Sequence, residues 1–256
     1  MGGSTNESGR NVVVAGGARV PAESVAPGRG PQSRVVMARL PYAAVIQGTE
    51  LMRQSGLPGS TPQTNAFLMF AHTPAVGAAV LRLVLALLTD TDLEPSVREM
   101  VILRVVQRCQ GRHAWVRHVA VARNVGVCSA QIAALERGEA PAHLFAKRDC
   151  SAFALADEVI ETSQATEETL ADVLEQFSAR QVVELLLLIG YFRMVCGVMT
   201  TLGVEVESPC GMELLTSVRD AARGRGQNNG RGGETPTRHE GERFNADRVL
   251  FPRGDL

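Results

Sequence analysis

The chain has few aromatic residues and almost no net charge. Aromatic residues make up 4% of the 256 residues, which argues against a surface that stacks nucleic-acid bases. The formal net charge of −1 gives no general attraction for nucleic acid or for anionic lipid. We therefore expect neither a nucleic-acid partner nor a membrane partner.

Closely spaced cysteine pairs are also missing. None of the five cysteines is followed by another at the spacing of a CxxC motif. An odd number at wide spacings is typical of reduced, mostly buried thiols in a cytoplasmic protein. We predict a cytoplasmic protein without a metal site. The cysteines are Cys109, Cys128, Cys150, Cys196 and Cys210.

Targeting signals are not evident in the sequence. The N-terminal MGGSTNESGRNVV has no apolar segment after a basic one, as a secretory signal would. The longest apolar run, Leu185–Gly203, reaches membrane-spanning length, but Glu184 precedes it and Arg193 lies inside it. A central arginine costs about 2.5–3.5 kcal/mol on insertion scales. We interpret this run as a buried core helix or an interface helix.

The sequence predicts a helical domain between two polar ends. Residues 1–37 are predicted to be a flexible arm and residues 222–256 a disordered tail, because both are rich in Gly and polar residues. In the predicted domain, 38–215, apolar residues recur at helical spacing and Pro and Gly mark the boundaries. The fold class is therefore all-α. The predicted helices are Gln63–Phe70, Pro74–Leu88, Pro95–Arg108, Ala114–Asn124, Ser129–Arg137, Ala152–Thr162, Glu167–Glu175 and Ala179–Thr201.

Two of these helices share a weak pattern. SVREMVILRVV (96–106) and ARQVVELLLLIGYF (179–192) each place an acidic residue after an arginine in an otherwise apolar helix. The pattern suggests two structurally related halves. The alternative is a chance similarity between two apolar helices.

Glu99 is predicted to lie inside the apolar arc of its helix. At about 100° per residue, aliphatic side chains surround its direction, while Arg104 and Gln107 point elsewhere. Burial removes water from the carboxyl group, which raises its pKa toward the range useful in acid–base catalysis. The alternative is a structural anchor in which Glu99 pairs with Arg98 or with the backbone.

His118 and Trp115 are predicted to share one face of the next helix. They are three residues apart, and Gly111 and Ala114 extend that face toward the helix start. Glu99 and His118, converging from two helices, would form a proton relay. The alternatives are a core histidine bonded to a carbonyl and a tryptophan that only packs.

Several segments resemble one known family. LEPSVREMVILRVV, HAWVRHVAVARNVGV, IAALERG and the later FALADEVIETSQATEETLADVLEQFSARQVVELLLLIGYFRMVCGVMTTLGVEVE are similar to the carboxymuconolactone decarboxylase family and its AhpD-like peroxidase relatives. The resemblance covers about residues 38–207. It implies an all-helical, AhpD-like, cofactor-free fold that assembles as a trimer or hexamer, with sites near subunit contacts.

The resemblance to the family extends to only part of the redox site. Redox members carry CxxC, then a histidine four residues after the second cysteine, and an upstream glutamate. Glu99 and His118 match the last two, but Gly111 and Ala114 stand at the thiol positions, and Cys109 has no partner three residues away. Dithiol peroxidase chemistry needs an attacking and a resolving thiol. The sequence therefore argues against that activity.

The resemblance also implies substrate contacts. Other members show a YxWxxH-like run, which HAWVRH approximates with His113 in the aromatic position and Trp115 as a pocket wall. Where the family often has Tyr-Tyr-Asn, this chain has Tyr191, Phe192 and Arg193. We expect Tyr191 to contact the substrate and Arg193 to bind its carboxylate.

The expected function is that of an acid–base lyase that acts on a small organic acid or lactone in aromatic compound metabolism. Decarboxylation would leave an enolate, which His118 would stabilise or protonate while Glu99 orients the imidazole. One alternative is isomerisation or cyclisation of a secondary metabolite by proton transfer. Another is residual peroxide reduction, which would need thiol loss on peroxide titration, and we expect no such loss that depends on Cys109. The third is a non-catalytic oligomeric binding protein in which Glu99 anchors helices.

Overall fold

The structure is a computed structural model that describes residues 38–58 and 61–207. These residues form nine α-helices and no strand, which confirms the all-α prediction. The predicted arm 1–37, the tail 222–256, the last part of the predicted domain and Cys210 lie outside the described residues. The helices are α1 Val45–Ser55, α2 Asn65–Phe70, α3 Pro74–Thr89, α4 Pro95–Arg108, α5 Arg112–Asn124, α6 Ser129–Glu136, α7 Lys147–Thr162, α8 Glu167–Gln176 and α9 Ala179–Leu202.

Helix α1 is missing from the sequence prediction. Its apolar Val45 and Ile46 are exposed, whereas Gly48 and Ser55 are buried. The apolar positions of α1 therefore do not show the spacing of a helix with one buried face, which is the signal on which the prediction depends.

Helix α7 begins at Lys147, five residues before the predicted start at Ala152. The side chain of Asp149 accepts a hydrogen bond from the backbone N–H of Ala146 at 3.1 Å. This contact stabilises a polar first turn. The prediction was wrong here because the apolar spacing begins only after that turn.

Helix α4 is the central helix of the domain. Every residue from Val97 to Val106 is buried, and the helix packs against α5, α6, α7 and α9. Pro95 stands at its first turn, where the missing N–H costs nothing. Because α4 is enclosed on all sides, any polar residue it carries needs a partner inside the protein.

Arg104 is a polar residue of α4 that has such a partner. The prediction that it points away from the buried face is wrong. It is buried, and its Nε and Nη2 atoms donate to the carboxylate oxygens of Asp157 at 2.9 and 2.5 Å. Nη1 donates to the carbonyl oxygen of Gly138 at 2.7 Å. The two-sided pattern assumed from the sequence fails because α4 has no face in water.

Helix α9 contains the apolar run noted in the sequence. By length and composition it could cross a membrane: its most apolar 18-residue window has a mean hydropathy of 2.0, and 44% of that window is buried in the domain. Leu185, Leu188 and Ile189 belong to the main core, while Val183 and Leu187 are exposed. Its interpretation as a core or interface helix stays a prediction.

Candidate active site

The structure brings Glu99 and His118 together. The short break around Gly111 separates α4 from α5, and the two helices pack against each other. Glu99 Oε2 lies 2.8 Å from His118 Nδ1. The Glu99 side chain is fully buried, whereas that of His118 is 13% exposed. The pair therefore has a buried acidic end and an imidazole that solvent reaches.

Arg98 extends this pair to a chain of three residues. Its Nε atom lies 3.3 Å from Glu99 Oε1, and both side chains are fully buried. Its Nη1 atom donates to the carbonyl oxygen of Leu88 at 2.8 Å. The sequence left an Arg98–Glu99 anchor and a Glu99–His118 relay as alternatives. In the structure one carboxylate makes both contacts.

The charge state of Glu99 differs from the sequence expectation. Burial by itself would raise the pKa of Glu99, but the neighbouring His118 imidazole and the Arg98 guanidinium outweigh burial and lower that pKa below its ordinary value. The expected upward shift was wrong because it counted desolvation without the two partners. Glu99 is therefore an anion at neutral pH.

An anionic Glu99 fixes the tautomer of His118. A carboxylate only accepts hydrogen bonds, so His118 Nδ1 carries the proton and donates it to Glu99. In the neutral ring, Nε2 then has a free lone pair. Phe192 packs against the imidazole edge-on, with ring centroids 4.8 Å apart. The sequence did not assign Phe192 to the site, although it follows Tyr191 in α9.

Gly111 lies directly against a buried thiol. A Cβ atom built on Gly111 would stand 2.3 Å from Cys196 Sγ. Cys196 is 1% exposed, and burial, with a smaller effect of Cys109, raises the pKa of its thiol to about 12. A sulfur atom thus lies next to the position that the resemblance assigns to the first redox thiol, but it is protonated and unreactive.

Cys109 is also a poor nucleophile. Burial raises the pKa of its thiol, although the charges of Arg193 and Arg108 act in the opposite direction. Thiolate, not thiol, attacks peroxides and disulfides. Neither of these cysteines has the environment of a reactive thiol.

Two cavities adjoin the start of α5, and His118 lines neither of them. The first has a volume of about 220 Å³ and the second of about 440 Å³. Trp115 lines the first, His113 lines the second, and Arg112 lines both. The described residues contain no group of three or more His, Cys, Asp or Glu side chains that could hold a metal ion.

His113 is buried in the wall of the second cavity. Its Nε2 atom lies 3.9 Å from Glu207 Oε2, too far for a hydrogen bond. Burial and then the charge of Arg117 lower the pKa of His113 to about 4, although Glu207 opposes them. His113 is therefore neutral at neutral pH. The main cause of this lowered pKa is burial.

Tyr191 and Arg193 line neither of these cavities. Tyr191 is buried beside Phe192, and burial raises the pKa of its hydroxyl. Arg193 Nη1 donates to the carbonyl oxygen of Val159 at 3.1 Å and to Ser163 Oγ at 3.3 Å. Their substrate contacts stay predictions.

Solved structures share this fold. An uncharacterized peroxidase-related protein from Ralstonia eutropha JMP134, described as an alkylhydroperoxidase AhpD core, is 17% identical and has a TM-score of 0.55; the match covers 68% of this chain and 95% of that chain. An uncharacterized peroxidase-related protein from Silicibacter sp. TM1040 is also 17% identical with a TM-score of 0.55, over 70% and 96% of the two chains. At this identity the likeness shows the AhpD-like fold alone.

Sequence comparison gives a family match for part of the chain. No curated protein matches the chain. Residues 74–158, which run from the start of α3 into α7, match the carboxymuconolactone decarboxylase family. This part of the chain is therefore similar to the carboxymuconolactone decarboxylase family, within a domain that has the AhpD-like fold.

Proposed function

We propose that the protein is a cofactor-free acid–base enzyme that decarboxylates a small organic acid or lactone and protonates the resulting enolate. One observation carries the proposal. Glu99 is a fully buried anion held between Arg98 and His118 Nδ1, which leaves Nε2 as the atom that exchanges protons. Burial of a charge is costly unless the charge is paired. Here the buried Glu99 anion is paired and orients one titratable ring, that of His118.

The proposed step uses His118 in its protonated form. Breaking the bond to the carboxylate releases CO2 and leaves an electron pair, which a conjugated carbonyl of the substrate holds as an enolate. His118 Nε2 then gives its proton to the enolate carbon, and water returns a proton to Nε2. Throughout, the Glu99 anion holds Nδ1 and stabilises the positive charge of the ring.

A second proton-transfer reaction fits the same pair. Isomerisation or cyclisation of a secondary metabolite would use His118 Nε2 as base and then as acid, without loss of CO2. A non-catalytic binding protein is the further candidate, because His118 lines neither of the two cavities. The raised pKa values of the Cys196 and Cys109 thiols argue against thiol peroxidase activity.

We also propose a cytoplasmic homo-oligomer, a trimer or hexamer. Exposed apolar side chains on α8 and α9 support association with further copies. They are Leu170, Leu174, Val183, Leu187 and Met194.

The two related halves remain part of the proposal. Glu99 and Glu184 are both buried, as the repeated pattern suggests. Their partners differ, however: Glu184 accepts from Arg180 Nε at 2.9 Å and from the backbone N–H of Asp92 at 2.9 Å. If the halves are related, only the first has an acid–base pair.

The function is tested by CO2 release from γ-carboxymuconolactone and a panel of related acids. We expect wild type to turn over at least one acid and His118→Gln to lower kcat by about 10²–10⁴, the usual contribution of a general acid. His143→Gln, which changes an exposed histidine in a turn, should keep full activity.

Two results of the same assay would contradict the proposal. One is that no acid in the panel releases CO2, and the other is that His118→Gln turns over as fast as wild type. Analysis of products by mass spectrometry separates decarboxylation from isomerisation, because only decarboxylation changes the mass.

A further inference from the structure

The first cavity lies between the end of α4 and the start of α5. Its volume is about 220 Å³. A cavity of about 150 Å³ in another protein holds benzene, so this one accommodates a single substituted ring. Its lining residues are Val106, Gln107, Gln110, Gly111, Arg112, Trp115 and Glu136.

Arg112 supplies a cation that no carboxylate of the described residues neutralises. It is exposed, and it forms no ion pair within 4.0 Å in the described ranges, in contrast to Arg98 and Arg104. The planar guanidinium of arginine matches a carboxylate in a bidentate contact. A ligand carboxylate would therefore find its counterion at Arg112. Glu136 also lines the cavity, and its carboxylate disfavours a second negative charge on the ligand.

Trp115 supplies a flat apolar wall. An indole face packs well against a planar ring of similar size. Val106 adds an aliphatic contact. The cavity thus combines one cation and one aromatic surface.

We propose that this cavity binds a monocarboxylic acid with a single planar ring. Arg112 binds the carboxylate and Trp115 packs against the ring. The binding site stands on its own observations and does not depend on the proposed function, because His118 does not line this cavity.

Fluorescence tests this inference directly, because Trp115 is the one tryptophan of the chain. We expect 4-hydroxybenzoate to change the emission of the full-length protein in a saturable way. The uncharged 4-hydroxybenzamide should bind at least tenfold more weakly.

Arg112→Gln should weaken the binding of 4-hydroxybenzoate at least tenfold. Arg123 is an exposed arginine of the same helix, and Arg123→Gln should leave the Kd unchanged. The proposal is overturned if no probe gives a saturable change, if the amide binds as tightly as the acid, or if Arg112→Gln binds like wild type.

The outcomes of the binding test and of the turnover test are independent of each other. Binding of 4-hydroxybenzoate without CO2 release from any acid would retain this site and refute the proposed function. Turnover that Arg112→Gln leaves unchanged in KM, with no binding of the probe, would retain the function and refute this site.

Discussion

Glu99→Gln is expected to lower the free energy of unfolding by about 3–5 kcal/mol, the usual cost of removing one partner from a buried ion pair. The Arg98 and Glu99 side chains are both fully buried, so a neutral residue at 99 leaves the guanidinium without a counterion and without water. Urea unfolding followed by circular dichroism, at one fixed protein concentration, measures the loss.

Glu184→Gln is the matched control for this loss. Glu184 is also buried, but its partner Arg180 is 61% exposed, so water can replace the lost contact. We expect a loss of less than about 1 kcal/mol. The variant Arg98→Met/Glu99→Gln should recover more than half of the loss of Glu99→Gln, because it removes the stranded charge. Equal losses in Glu99→Gln and Glu184→Gln, or no recovery in the double variant, would refute the buried pair.

The effect of Glu99→Gln should depend on pH. The pKa of Glu99 is lowered in the folded protein below its ordinary value of 4.5, so its ionised form stabilises the fold above that value. This contribution is lost as the pH falls through the lowered pKa. The difference in the free energy of unfolding between wild type and Glu99→Gln should therefore be largest near pH 7 and should disappear at acidic pH.

Gly111→Ala is expected to destabilise the protein by about 1–3 kcal/mol, the usual cost of forcing an extra methyl group into a filled core. The new Cβ atom would stand 2.3 Å from Cys196 Sγ and 3.2 Å from Cys196 Cβ. The backbone angle φ of Gly111 is −82°, so an alanine there adds no conformational strain. The cost comes from the collision alone, and thermal unfolding measures it.

Cys196→Ala should restore most of the stability lost in Gly111→Ala, because it removes the colliding sulfur. Gly197→Ala is the control: nothing lies within 4 Å of its built Cβ atom, so we expect about 0.5–1 kcal/mol of stabilisation in mid-helix. If Gly111→Ala lowers the stability equally with Cys and with Ala at position 196, the packing of Gly111 against Cys196 is contradicted.

This packing bears on the dithiol site that the resemblance describes for redox members of the family. The resemblance assigns the first redox thiol to position 111, where Cys196 leaves no room for a side chain. Substitution of cysteines at 111 and 114 alone would therefore not rebuild a dithiol site. Residue 196 would have to become smaller as well.

The pairing of Glu99 with His118 could be expected from the sequence. Each residue stands at a definite place on a strongly patterned helix, and a short break around Gly111 joins the two helices. The contact between Gly111 and Cys196 could not be expected, because it joins α5 to the distant α9 through tertiary packing. Helical spacing gives the face of a residue but not the partner that covers it.

Charge states and hydrogen-bond partners could not be predicted from the sequence either. The pKa of Glu99 depends on Arg98 and His118 being in contact with one carboxylate, and burial alone gives the opposite direction. Helical spacing predicted that Arg104 points away from the buried face, yet its pairing with Asp157 allows it to be buried.

The tautomer of His118 tests the central claim most directly. In protein with ¹⁵N-labelled histidine, the two ring nitrogens of His118 are assigned among the five histidines of the chain by comparison with His118→Gln. For the neutral ring we predict a protonated Nδ1 and a bare Nε2, since the Glu99 anion accepts from Nδ1. A proton on Nε2 with a bare Nδ1 would contradict the proposed acid–base pair.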